Sequence, residues 1–79
     1  MKWTLHVDRE AMLALYSIPR NFVPAITAAM YSLSEDPIPE AAQADEEDPS
    51  RYWIAVAGDF VIYYEIIDER HIVKIVGIE

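Results

Sequence analysis

Tyr63 and Glu65 stand two apart in a segment rich in β-formers, so an extended backbone points both to one face. A phenol and a carboxylate so placed could form an acid–base pair. A cross-strand structural contact explains the same two residues without any chemistry. The only other proton carriers near neutral pH are His6 and His71. His6 lies on the polar side of an alternating segment, and His71 follows Arg70 in a turn. Both read as solvated polar residues, because a general base needs a partner to orient it and neither has one close in sequence. With two glycines, Gly58 and Gly77, no phosphate-cradling loop can form, and no nucleophile motif is present. The absence of cysteine removes disulfides and thiolate metal sites. Asp45, Glu46, Glu47 and Asp48 are consecutive carboxylates, but they lack the alternating acid pattern and glycine of a calcium loop. The residues therefore point to no catalytic group, no metal and no cofactor.

The elements that would position these side chains follow from periodicity. Lys2 to Asp8 alternates, with Trp3, Leu5 and Val7 on one side and Lys2, Thr4 and His6 on the other, as a half-buried strand does. Asp8 can cap a short helix from Arg9, with Ala11, Met12, Leu15 and Tyr16 as its apolar stripe; Ser17-Ile18-Pro19 ends it. Phe22, Ile26, Ala29, Met30 and Leu33 recur at helical spacing and predict a second helix over 22–34. Asn21 as its cap places Pro24 within the first turn, where proline is tolerated. Three strands follow: Tyr52–Ala57, Phe60–Ile67 and Ile72–Ile78. Gly58-Asp59 is a two-residue hairpin signal, and Asp68 to His71 makes the next turn. The order β-α-α-β-β-β predicts an α+β fold, an antiparallel sheet with two helices packed on one face. Tyr52, Ile54, Val56, Phe60, Ile62 and Tyr64 then face the helices. Trp53, Ala55, Val61 and Tyr63 point the other way, and an exposed cluster of that kind is typical of contact surfaces.

Composition narrows the function. The 79 residues are 53% hydrophobic, enough for one packed domain and too short for two. Nowhere is there a run of the ~18–20 apolar residues that a membrane span needs, and the first residues lack a signal-peptide core. A soluble, cytoplasmic protein is expected. The formal net charge of −8 argues against direct nucleic-acid binding, since phosphate neutralisation by cations supplies most of that affinity. Half of the 14 acids fall between Glu35 and Asp48, in a stretch punctuated by Pro37, Pro39 and Pro49. Residues 35–50 read as a solvated acidic loop.

The order and spacing of these patterns resemble the RelE/ParE toxin superfamily, small proteins of bacterial and archaeal toxin–antitoxin pairs. The resemblance runs through nearly the whole chain. It rests on Ile18-Pro19 and Asp36-Pro37 at the ends of the second helix, and on Ile26, Met30 and Leu33 between them. It rests further on Tyr52 opening a strand, the Gly58-Asp59 turn, Phe60 to Glu65, the acidic turn at Asp68, and the run from Ile72 to Gly77.

Ribosome-dependent members of that superfamily cleave mRNA with Lys and Arg side chains on the open face of the sheet. The resemblance aligns two of those basic positions with Trp53 and Ala55, and a third with Val61. Ile78 and Glu79 stand where the last strand would run into a further basic residue. Without preorganised cations, charge developing on the phosphate is not stabilised, and losing even one such group typically costs roughly 10²–10³ in rate. The resemblance thus implies a degenerate or non-ribonuclease member that acts through protein contact, as ParE-type members act on DNA gyrase. Trp53, Ala55, Val61 and Tyr63 would be its partner-binding face, covered by an antitoxin-like protein or by a second copy. Two other readings fit the same residues: a ribonuclease that relocates its cations to Arg51, Arg70 and Lys74, and a dimeric interaction module with no toxin role.

Overall fold

The computed structural model describes residues 2–79. Strand β1 (Thr4–Val7) leads into helix α1 (Arg9–Ser17), and a 3₁₀ turn over Arg20–Phe22 opens helix α2 (Val23–Glu35). A two-residue strand β2 (Gln43–Ala44) precedes β3 (Arg51–Ala55), β4 (Val61–Ile67) and β5 (Ile72–Ile78). The sheet order is β1-β5-β4-β3-β2. The α+β class, with two helices on the sheet, is as expected. The sheet is mixed rather than purely antiparallel, because β1 pairs parallel to β5. Alternation specifies which face of a strand is buried but not which way the strand runs. Leu5 and Val7 face the core beside Val73 and Ile75 in either direction.

Asp8 caps α1 as expected, its side chain accepting from the Arg9 N–H at 3.0 Å. The stripe on α1 is rotated from the expected one. Ala11 and Ile18 are buried with Ala14 and Leu15 beside them, whereas Met12 and Tyr16 are exposed. In α2 the expected Ile26, Met30 and Leu33 do form the buried line. The cap differs: Phe22, not Asn21, occupies it, no side chain caps the helix, and Pro24 lies in the first turn. Phe22 is held there by packing, with its ring edge-on to Phe60 at 5.5 Å between centroids.

Ile62, Tyr64, Val73 and Ile75 are fully buried at the centre of the sheet, with Tyr52, Ile54, Val56 and Phe60 packed around them. The β3–β4 turn is one residue longer than expected. Ala57–Asp59 forms it, closed by the Val56 N–H donating to the Phe60 carbonyl at 2.8 Å. Gly58 (φ +74°) and Asp59 (φ +63°) are both left-handed there. A Cβ on Gly58 would lie 2.6 Å from the Phe22 ring. Glycine is thus required by backbone and by packing together.

Residues 35–50 are less free than the acidic composition suggested. The Tyr64 hydroxyl donates to the Pro37 carbonyl at 2.8 Å, and β2 pairs with β3 through Gln43↔Trp53 and Ala44↔Tyr52. Asp45 accepts from the Glu47 N–H, and Asp48 accepts from both the N–H and the hydroxyl of Ser50. Short-range carboxylate-to-backbone bonds shape this segment, and such bonds leave no hydrophobic period to read.

Candidate functional site: the open face of the sheet

Register brings the four singled-out residues together. Trp53 lies opposite Tyr63, and Ala55 opposite Val61. The alternation that buries Ile54, Ile62 and Tyr64 turns these four away from the helices. Trp53 and Tyr63 are among the exposed large side chains, at 38% and 36%. Gln43 extends their row on one side and Gly77 on the other. A bulge between Tyr63 and Tyr64 leaves Val76 unpaired and sets Gly77 opposite Tyr63. A Cβ at Gly77 would meet nothing within 4 Å, so the surface dips there.

The neighbouring row along the same face is charged, running His6–Lys74–Glu65–Arg51 across β1, β5, β4 and β3. Glu65 sits between the two cations. Arg51 also turns its Nε to the Asp48 carboxylate at 3.6 Å. Glu79 is locked to the far end of the apolar row, exchanging two backbone hydrogen bonds with Val61.

A cleft of about 550 Å³ opens on this face, with Glu10 and Ala14 of α1 on one wall and Trp53, Tyr63, Gly77 and Glu79 contributed by the sheet. Asp45 and Arg51 line it as well. A second depression of about 460 Å³ adjoins it, sharing Trp53, Tyr63 and Asp45 and adding Glu46 and Glu47. The Glu79 carboxylate near the Tyr63 hydroxyl raises that phenol above its ordinary value of 10.0. Tyr63 is therefore a neutral donor at physiological pH. Tyr63 and Glu65 do not serve each other: Glu65 faces Ser50, whose hydroxyl lies 3.4 Å away.

His71 corrects a sequence expectation. It is half-buried rather than solvated, left-handed at φ +59°, and its ring stacks on Trp3 with centroids 3.8 Å apart. Its Nε2 is buried without a hydrogen-bond partner among the described residues. His6 is exposed, as expected. No group of three or more His, Asp or Glu side chains among the described residues could hold a metal. The wall residues Glu10 and Asp45 carried no signal in the sequence. They reach the site through the placement of α1 and the loop, which residue spacing does not encode.

A sequence profile for the ParE toxin of type II toxin–antitoxin systems (parDE) matches residues 6–79. The chain belongs to this family. No curated protein matches it by sequence. Solved structures of RelE toxins share the chain's fold. The RelBE2 toxin–antitoxin complex from Mycobacterium tuberculosis superposes with a TM-score of 0.87 at 18% identity, covering 100% of this chain and 98% of that one. A mutant of the E. coli RelE toxin in the free state gives 0.84 at 20% identity, covering 99% and 82%. The archaeal RelE–RelB complex from Pyrococcus horikoshii gives 0.79 at 18% identity, covering 100% and 94%. No helix among the described residues is long and apolar enough to cross a membrane.

Proposed function

We propose that this ParE-family chain is a cytoplasmic member that acts through protein–protein contact and not by cutting mRNA. One observation carries the reading. The three positions that the resemblance aligns with ribonuclease cations hold Trp53, Ala55 and Val61, and register joins them with Tyr63 on the open face, with Val61 partly covered and the other three exposed. The remaining cations of this face offer no substitute. Arg51 is drawn to Asp48, Lys74 lies across from Glu65, and Glu10, Asp45 and Glu79 line the cleft that a phosphate would have to enter. An anion entering there meets repulsion that grows as water is excluded.

The partner in this reading is an antitoxin-like chain rather than a second copy, because two copies face to face would crowd their acidic walls together. Expressing the chain alone in a bacterial host tests the reading. Growth arrest without codon-position cuts by primer extension on translating mRNA is the expected result. Cuts at fixed codon positions would overturn the non-ribonuclease reading, and normal growth would overturn toxicity. Sedimentation at two concentrations should show one species; a concentration-dependent dimer dissociated by Trp53→Lys would make the face a self-contact instead.

A further inference from the structure

We propose that the open-face cleft captures an arginine side chain from a basic peptide segment of the partner, with the guanidinium against Trp53 and Tyr63 and its N–H groups on the carboxylates around them. This inference rests on the protein-contact reading and names the chemistry of the contact. Trp53 and Tyr63 are adjacent across two strands and exposed, so an aromatic surface is available. Tryptophan is the strongest aromatic partner for a cation, and a planar guanidinium stacks on its ring while its edge remains free to bond carboxylates. The carboxylates are in place: Glu79 and Glu10 line the cleft, and Asp45 is shared by the two depressions.

Charge complementarity selects the occupant. Three carboxylates border the cleft against one guanidinium, Arg51, which is itself directed to Asp48. Glu46 and Glu47 extend the same sign into the adjoining depression. These acids do not converge closely enough to hold a metal ion. They suit an elongated cation lying across the aromatic pair. Gly77 supplies the room, since the space above it next to Tyr63 is open. A nucleic acid has the wrong charge, and a second copy brings more carboxylates than cations.

The test uses the full chain carrying Trp3→Phe, so that Trp53 alone reports by fluorescence. The probe is an acetylated and amidated Ala-Arg-Ala-Arg-Ala peptide. Its control is the same peptide with citrulline for arginine, which keeps the planar side chain and removes the charge. The arginine peptide should bind saturably, and the citrulline peptide about tenfold more weakly or not at all, the factor that one lost cation–aromatic contact carries. Binding should weaken between 50 and 500 mM NaCl, because the pairing is partly exposed (about tenfold ionic strength shortens the screening length threefold).

Gly77→Leu should fill the dip and abolish binding while the urea midpoint holds or rises, since nothing contacts a Cβ there. Glu79→Gln should weaken binding several-fold with the fold intact. Equal binding of the citrulline peptide, unchanged binding by a folded Gly77→Leu variant, or tighter binding of a single-stranded oligonucleotide would overturn the proposal. The peptide and growth assays separate the two levels. Arginine-peptide binding that survives in a folded Gly77→Leu variant would sink the arginine cleft and leave the contact reading standing, whereas codon-position cuts would sink that reading whatever the peptide does.

Discussion

Replacing Gly58 with alanine tests whether the β3–β4 turn and the start of α2 are one packed unit. Two penalties act at this position. A left-handed backbone costs an L-residue roughly 1–2 kcal/mol, partly offset by about 0.4–1 kcal/mol from a less flexible unfolded chain. The added methyl would also sit 2.6 Å from Cε1 and 2.8 Å from Cδ1 of Phe22, well inside contact distance. Phe22 cannot swing away freely, because its other side packs edge-on against Phe60. Overpacking of that kind typically costs about 1–3 kcal/mol. The sum is about 2–4 kcal/mol, against the roughly 4–12 kcal/mol that a 79-residue domain has in total. Urea unfolding followed by tryptophan fluorescence measures it. In a Phe22→Leu background the ring is gone, so Gly58→Ala should then cost only the backbone share, about 1 kcal/mol. A cost below about 0.5 kcal/mol in the parent chain, or the same cost in both backgrounds, would refute the contact between turn and helix.

Tyr64 and Asp48 give predictions with opposite pH signs. Burial, with smaller contributions from Tyr52 and Asp36, pushes the Tyr64 phenol up to about 12. The folded state thus holds this proton more tightly than the unfolded one, so stability should be constant below about pH 10 and fall as pH rises towards 12. Tyr64→Phe should flatten that alkaline limb in urea titrations. It should also cost about 1–2 kcal/mol at pH 7, by leaving the Pro37 carbonyl without its donor. Asp48 is held below its usual 3.8 by the hydroxyl and N–H of Ser50. Its contribution is therefore present above about pH 4 and lost as pH falls further, and Asp48→Asn should make the acid limb of the stability profile shallower.

How far the sequence was legible depends on what kind of force sets each feature. Tyr52, Ile54, Ile62 and Tyr64 alternate strictly, and their side of the sheet is the side expected. Ile26, Met30 and Leu33 carry the helical period into the core just as plainly. Where tertiary packing overrides local preference, the reading slips. Tyr16 looks apolar in a stripe yet is 82% exposed, because Ala11 and Ile18 face the sheet instead. Asn21 looks like a cap, but the fit of Phe22 against Phe60 moves the helix start. His71 looks like a turn residue in water, but Trp3, distant in sequence, lies flat against it. The site divides the same way. Trp53, Ala55, Val61 and Tyr63 followed from period two alone, while the acidic wall of Glu10 and Asp45 depends on how α1 and the loop fold back.

That division implies a last prediction about the open face. A strand's period of two separates the residues that hold the fold from those left on the open face, so the latter can change sign without disturbing the core. Installing the cations expected of a ribonuclease, as Trp53→Lys, Ala55→Lys and Val61→Arg together, should therefore leave the chain folded. Ala55 is exposed, and Trp53 and Val61 are only partly covered. Surface substitutions fall within about 0.5 kcal/mol each, and the lost Trp53–Tyr63 contact adds up to about 1 kcal/mol. The triple variant should thus lose less than about 2.5 kcal/mol, within the range of Ile62→Ala alone, which truncates a fully buried side chain at about 2–5 kcal/mol. New positive charge near Glu10, Asp45 and Glu79 works in the same direction, relieving repulsion among them. Urea unfolding of the two variants side by side decides the matter. If the triple variant unfolds well below Ile62→Ala, the aromatic patch is part of the structure's own packing, and the face is not free for a partner.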